Sequence, residues 1–190
     1  TTLNSKLMWM NAAEVAFLEA EGALRGWDMK GGDAKSYYQK GITLSFEQWG
    51  VNITDSYLTS QRVPQIYKDP AETFSYTGSV SDITVKWKEI GGFDEENLER
   101  IITQKWIANF PLGIESWAEF RRTGYPKLME VDKNLGTDIV KGKFVRRLSY
   151  PQDEYRNNGD NMPKALEYLK GADKMSTHVW WDCNPRLTQE

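Results

Sequence analysis

The sequence has only one cysteine, Cys183, and one histidine, His178. A lone cysteine excludes an internal disulfide and a zinc site built on cysteines. A lone histidine excludes a histidine pair as metal ligands, and the acidic residues Asp153 and Glu154 lack the spacing of a calcium loop. We therefore expect no metal ion and no other cofactor.

Long apolar runs and a strong charge imbalance are also missing. No run approaches the roughly 20 apolar residues that span a bilayer, and the first residues lack the pattern of an export signal. The net charge is −3 with both signs interspersed, which argues against a nucleic-acid partner. A hydrophobic share of 39% and a charged share of 27% are typical of a folded globular protein.

Aromatic residues, by contrast, are abundant: the chain has eight Trp, nine Tyr and seven Phe. Rings at this density either fill a core or offer flat apolar faces to a ligand. We expect most of them in the core, and we assign there the four tryptophans Trp106, Trp117, Trp180 and Trp181.

A helix pair joined by a short polar loop is predicted at about 11–25 and 34–49. Asn11 and Glu14 have the spacing of a reciprocal capping pair, and Gly26 offers a left-handed stop. Asp33 can cap the second helix, and small alanines in the first allow its partner to approach closely. Such a pair, here 11–50, is the unit of helical repeats and needs neighbours to bury both faces.

The segment 51–93 is a loop-rich excursion. A short helix is predicted after Asp55, and the alternation from Ile83 to Trp87 predicts a short strand. A loop of this length inside a domain is typically functional or packed on the core.

The segment 94–190 is predicted to hold helices and ordered loops. Asp94 caps a long helix that Pro111 ends, and its buried stripe is expected to comprise Leu98, Ile101, Ile102, Trp106 and Phe110. Further helices are predicted at about 114–123 and 163–169. The fold class is therefore mainly α, in a single unit that covers 1–190.

The segment SWAEFRRTGYP, Ser116–Pro126, is dense in charge. Glu115 and Glu119 lie four residues apart on one helix face, beside Arg121 and Arg122. Paired carboxylates hydrolyse glycosides, but they normally flank the bond from different elements. Charge pairing with the arginines is therefore the simpler interpretation.

Two arginine pairs, Arg121–Arg122 and Arg146–Arg147, are each followed by a Tyr-Pro step. We expect at least one of the four to be a buried partner of a carboxylate or of backbone carbonyls. Trp117 lies four residues before Arg121, a spacing that permits the guanidinium to stack on the indole.

Two further motifs are weak. Lys30-Gly31-Gly32-Asp33 has no preceding strand and lacks the spacing of a phosphate-binding loop, so it is interpreted as an interhelical turn. A Ser-His-Asp triad assembled in space around His178 stays an open alternative.

Five blocks, in order, resemble the C-terminal part of the SusD/RagB family, in its SusD-like branch. They are MNAAEVAFLEAEGALRGW, SFEQWGV, RIITQKWIANFPLGIESWAEFRRTGYPKL, RRLSYPQDEYRNN and THVWWD. Together they extend over nearly the whole chain, and the block from QKWIA to RRTGYP is highly specific. Family members are much longer than this chain, which therefore resembles a C-terminal fragment.

The resemblance implies a mainly α fold with tetratricopeptide-like helix pairs, of which 11–49 would be one. It implies a surface-exposed outer-membrane lipoprotein of Bacteroidetes-type bacteria, with the lipid anchor in the N-terminal region that this chain lacks. It also implies a non-enzymatic protein that binds oligosaccharide or polysaccharide and delivers it to a SusC-like TonB-dependent transporter. The remaining N-terminal part would be a further partner of this chain.

The resemblance assigns no ligand residue, so sugar-binding candidates come from the residues themselves. They are the loop aromatics Tyr67, Phe74, Tyr76 and Trp87, with Trp27 behind them. A carbohydrate-active hydrolase and a helical-repeat scaffold for protein partners stay as alternatives. We expect this chain to hydrolyse no glycan and to bind sugar weakly when alone.

Overall fold

The computed structural model describes residues 7–72, 78–131, 135–136, 138–139 and 143–183. The described residues are mainly helical and irregular. The helices are α1 (Ala12–Leu24), α2 (Ala34–Gln48), α3 (Asp55–Leu58), α4 (Glu95–Ala108), α5 (Gly113–Thr123), α6 (Gln152–Asn157) and α7 (Met162–Leu169). This confirms the mainly α fold class and the predicted helices; only α6 was not predicted.

Local capping sets the ends of the helix pair. The Asn11 side chain accepts a hydrogen bond of 2.7 Å from the Glu14 N–H, as predicted. In a capping box, the Glu14 carboxylate would in turn accept a hydrogen bond from the Asn11 N–H. Here that carboxylate pairs with Lys105 instead. At the start of α2, the Asp33 carboxylate accepts a hydrogen bond of 2.7 Å from the Ser36 N–H.

Small residues bring α1 and α2 close together. Ala13, Ala16 and Ala20 are buried along α1. A Cβ added at Gly41 of α2 would lie 2.7 Å from the Phe17 ring, so the helices meet where only a hydrogen fits. This close contact confirms the predicted hairpin.

The third helix of the core, α4, packs on both α1 and α2. Leu98, Ile101 and Ile102 are fully buried, as predicted, but Trp106 is 42% exposed and Phe110 is 67% exposed. Both of these assignments to the core were wrong. At 100° per residue, the stripe set by the first three continues through Lys105 and Asn109, and these polar residues occupy the buried face.

The predicted strand at 83–87 does not form. Backbone groups of this segment form hydrogen bonds with distant residues instead. The Val85 carbonyl accepts a hydrogen bond of 2.8 Å from the Tyr38 hydroxyl, and the Lys86 N–H donates to the Ser60 carbonyl. The segment therefore lies on the helical core as a loop.

Contacts divide the chain into two compact units, whereas the sequence analysis described a single unit. One unit comprises Thr1–Phe120 with Tyr125–Lys127, and the other comprises Arg121–Gly124 with Leu128–Glu190. The first unit holds the helix pair and the hydrophobic core. In the second, Trp180 and Trp181 are exposed, so their assignment to a core was wrong. Trp117, in the first, is half-buried.

Candidate functional site

A cleft of about 560 Å³ lies in the first unit, between the end of α1, the start of α2 and the loop before α4. Its walls carry two exposed rings and four charged side chains. These are Trp27, Phe93, Arg25, Asp33, Lys35 and Glu89.

Trp27 reaches the cleft because of how α1 ends. Gly26 adopts φ +80°, its N–H donates to the Ala23 carbonyl, and the Trp27 N–H donates to the Gly22 carbonyl at 2.9 Å. This is a Schellman ending, in which a glycine takes the left-handed position and the next residue turns back over the last turn. The Trp27 side chain is left 65% exposed.

The opposite wall is the loop that leads into α4. Gly92 adopts φ +78° immediately before Phe93, whose ring is exposed. The Arg25 guanidinium lies 5.6 Å from the centre of the Phe93 ring, within the range of a cation–π contact. Two hydrogen bonds hold the loop against α4. The Asn97 side-chain amide accepts from the Lys88 N–H and donates to the Lys88 carbonyl.

Both cations of the walls are paired with carboxylates. The Lys35 ammonium lies 2.5 Å from the Glu89 carboxylate, and an Arg25 nitrogen lies 2.9 Å from the Glu21 carboxylate. Flat apolar rings beside several fixed donors and acceptors are suited to a sugar, because its C–H faces stack on rings and its hydroxyls both donate and accept.

The structure brings two of the five predicted sugar-binding residues to this cleft. Trp27 and Trp87 both line it. Trp87, however, is only 8% exposed, and the centre of its ring lies 5.3 Å from the centre of the Tyr38 ring. It belongs to the core and forms part of the base of the cleft. Tyr67 is exposed and is not part of the lining. Phe74 and Tyr76 lie outside the described residues.

Arg25, Lys35, Glu89 and Phe93 also line the cleft but were not predicted from the sequence. One signal was present for Phe93: it directly precedes Asp94, the residue that caps α4, and follows a Gly-Gly pair. The left-handed turn at Gly92 and the capped start of α4 set the backbone on either side of this ring. The partnership of Lys35 with Glu89 joins residues 54 positions apart, and no local pattern encodes it.

The carboxylates Glu115 and Glu119 converge on a buried lysine. The Lys105 nitrogen lies 3.8 Å from Glu115, 3.3 Å from Glu119 and 3.5 Å from Glu14. Glu115 and Glu119 are therefore engaged in charge pairing, and Lys105 is a partner that the sequence did not indicate.

The arginine segments form buried pairs in the second unit, as predicted. Arg146 binds Asp182 through two guanidinium nitrogens, and Arg147 lies 2.5 Å from Asp173. Arg121 donates to the Arg146 carbonyl at 2.8 Å. Its guanidinium lies 4.6 Å from the centre of the Trp181 ring.

The triad alternative involved His178. Its Nδ1 lies 3.3 Å from the Asp182 carboxylate, which Arg146 already binds. Among the described residues, no group of histidine, cysteine and acidic side chains has the arrangement of a metal site. Within the same part of the chain, no helix is both long and apolar enough to cross a bilayer.

Comparison with known proteins identifies relatives. A family model described as "SusD-like: Susd and RagB outer membrane lipoprotein" matches residues 1–182. Comparison with curated proteins finds no significant match.

Three solved structures are similar to this chain. A SusD homologue from Bacteroides thetaiotaomicron is 51% identical, with a TM-score of 0.90 over 97% of this chain and 40% of its own. One from Bacteroides uniformis is 50% identical, with a TM-score of 0.89 over 97% of this chain and 38% of its own. A chitin-binding SusD homologue from Flavobacterium johnsoniae is 44% identical, with a TM-score of 0.84 over 92% of this chain and 36% of its own.

This chain therefore spans about two fifths of the length of the first two relatives. The family match covers nearly all of it and agrees with the resemblance carried by the five sequence blocks. The chain belongs to the SusD-like family of outer membrane lipoproteins.

Proposed function

We propose that this chain is part of a non-enzymatic glycan-binding protein and that the cleft beside Trp27 is one of its sugar contacts. The observation that carries the proposal is the exposed Trp27 indole, held by the end of α1 in a cleft that also carries the hydrogen-bonding side chains of Arg25, Asp33, Lys35 and Glu89. The description of the Flavobacterium johnsoniae relative as chitin-binding supports the same ligand class.

The whole protein would capture oligosaccharide or polysaccharide at the cell surface and deliver it to a SusC-like TonB-dependent transporter. Family membership supports this role. The chain spans about two fifths of the length of its relatives. In this proposal, the lipid anchor and further stacking rings belong to the remaining part of the protein. Several rings are needed, since one stacked ring contributes about 0.5–1.5 kcal/mol beyond its buried area, which is small beside the cost of association.

The hydrolase alternative requires two carboxylates that flank a bond with free access to it. In the cleft, Glu89 is paired with Lys35, and the Asp33 carboxylate accepts the Ser36 N–H. Glu115 and Glu119 are bound to Lys105. These contacts support binding in preference to catalysis.

The test is a calorimetric titration of the longest product of the gene that contains this chain, with a panel of oligosaccharides. We expect Trp27→Ala to weaken the tightest interaction by about tenfold or more, because the stacking face and its buried area are lost. Trp180→Ala is the matched control, since that indole is exposed in the other unit. The 190-residue chain alone should bind more weakly than the longest product.

Equal affinities of wild type, Trp27→Ala and Trp180→Ala would contradict a sugar contact in the cleft. Release of reducing ends that is lost in Glu89→Gln or Glu119→Gln would contradict the non-enzymatic role.

A further inference from the structure

The charges around the cleft balance within the protein. Its lining contributes two cations, Arg25 and Lys35, and two carboxylates, Asp33 and Glu89. A third carboxylate, Glu21, lies behind Arg25 at 2.9 Å. Each cation of the lining therefore already has an acidic partner, and the surroundings of the cleft carry no excess of positive charge.

The paired groups still have hydrogen-bonding capacity. A lysine ammonium has three donors and a carboxylate has about four acceptor positions, so one contact between Lys35 and Glu89 leaves others for a ligand. The pair is exposed, so its remaining donors and acceptors are accessible to a ligand. A hydroxyl can bind to either partner without separating the two.

An anionic sugar meets a different environment. A uronate or sulfate group near Lys35 has to compete with Glu89, and near Arg25 it has to compete with Glu21. The nearby Asp33 carboxylate adds repulsion. The chain as a whole carries a net charge of −3, so long-range attraction of an anion is not expected either.

We infer that the cleft selects uncharged sugars and that Glu89 enforces this selection by neutralising Lys35. The inference rests on the proposed function, since it names the ligand class of that same cleft. The recognised ligand is a neutral hexose or N-acetylhexosamine oligosaccharide, with one ring against Trp27 and its hydroxyls on the Lys35–Glu89 pair.

The experiment compares neutral galacto-oligosaccharides and chito-oligosaccharides with oligogalacturonates of matched length, at low salt, on the longest gene product. Wild type is expected to bind at least one neutral series and to prefer it over the uronates. Glu89→Gln releases Lys35 and should raise the affinity for oligogalacturonate about two- to fivefold, the range of an exposed charge pair. Glu47→Gln, exposed at the other end of α2, changes the net charge equally and should leave the affinity unchanged.

Circular dichroism verifies that both variants are folded. A wild-type preference for oligogalacturonate that depends on Trp27 would overturn the neutral-sugar inference while leaving glycan binding by the cleft in place. Equal uronate affinities of Glu89→Gln and Glu47→Gln would overturn the role of Glu89. No binding of any neutral or acidic series would overturn the proposed function and the inference together.

Discussion

The Lys105 ammonium lies 3.5 Å from the Glu14 carboxylate, and both side chains are almost completely buried. The contact joins α4 to α1 in the centre of the first unit. Glu119 of α5 lies 3.3 Å from the same nitrogen, and the Asn109 amide donates to Glu14 at 3.3 Å. A polar cluster thus holds three helices together where an apolar stripe was expected.

Removal of the lysine leaves buried carboxylates without their cation. We expect Lys105→Met to lower the free energy of unfolding by about 3–5 kcal/mol, the loss typical of one partner of a buried pair. Lys40→Met is the control, because Lys40 is exposed and lies 3.9 Å from Glu19, and its loss should be below about 1 kcal/mol. Urea unfolding followed by tryptophan fluorescence measures both. Equal small losses would show that the cluster contributes little.

In the second unit, Arg146 and Asp182 form a buried bidentate pair. We expect Arg146→Ala to destabilise the protein by about 3–5 kcal/mol, since Asp182 would keep its charge without its main partner. Arg156→Ala serves as control, because Arg156 is exposed and lies 4.0 Å from Asp153. Urea unfolding measures both variants. An unfolding midpoint for Arg146→Ala equal to that of Arg156→Ala would show that the Arg146–Asp182 pair does not stabilise the protein.

The close contact of α1 with α2 gives a third prediction. Gly41→Ala places a methyl group 2.7 Å from the Phe17 ring, and overpacking of this kind costs about 1–3 kcal/mol. Gly113→Ala, at the start of α5, meets no atom within 4 Å and should be neutral or slightly stabilising. Thermal melting distinguishes the two. A Gly41→Ala protein that melts with wild type would mean that the helices lie farther apart.

The cap of α4 predicts a pH dependence. Burial alone would raise the pKa of Asp94, but the Asn97 N–H and the Lys88 ammonium outweigh it and lower the pKa below its ordinary value. A depressed pKa in the folded state adds stability above the unfolded value of about 3.9, and this stability is lost as the pH falls through the folded pKa. Asp94→Asn keeps a capping side chain but does not titrate.

The stability difference between wild type and Asp94→Asn should therefore shrink as the pH falls below about 4. Asp153→Asn, on the exposed surface of α6, should give a small difference at every pH. Denaturant midpoints measured across this range provide the comparison. If the stability difference between wild type and Asp94→Asn stays constant or grows in acid, the Asp94 carboxylate does not have the depressed pKa on which this prediction rests.

The helices were predictable because their ends are encoded locally. Asn11, Asp33 and Asp94 each cap the helix that follows through a side chain to the N–H three residues on. The buried face of α4 was predicted only in part, since Lys105 and Asn109 are polar and their partners lie on α1 and α5. Hydrophobicity assigned Trp106 and Phe110 to that face instead.

Two predicted residues, Trp27 and Trp87, line the cleft, but only Trp27 has the exposed position that the sequence predicted. Trp27 follows a glycine stop, so its exposed place beyond α1 has a local cause. Trp87 was predicted to be an exposed loop residue. The hydrogen bond from the Tyr38 hydroxyl to the Val85 carbonyl holds this loop on the core, and the Trp87 indole is buried there. Lys35 and Glu89 meet through tertiary packing, which sequence spacing does not report.

The decisive experiment for the Trp27 cleft is a crystal structure of the longest gene product with its tightest-binding neutral oligosaccharide. We expect a sugar ring against the Trp27 indole, with hydroxyls within about 3.2 Å of Lys35 or Glu89. A ligand bound elsewhere, with the Trp27 face unoccupied, would contradict it.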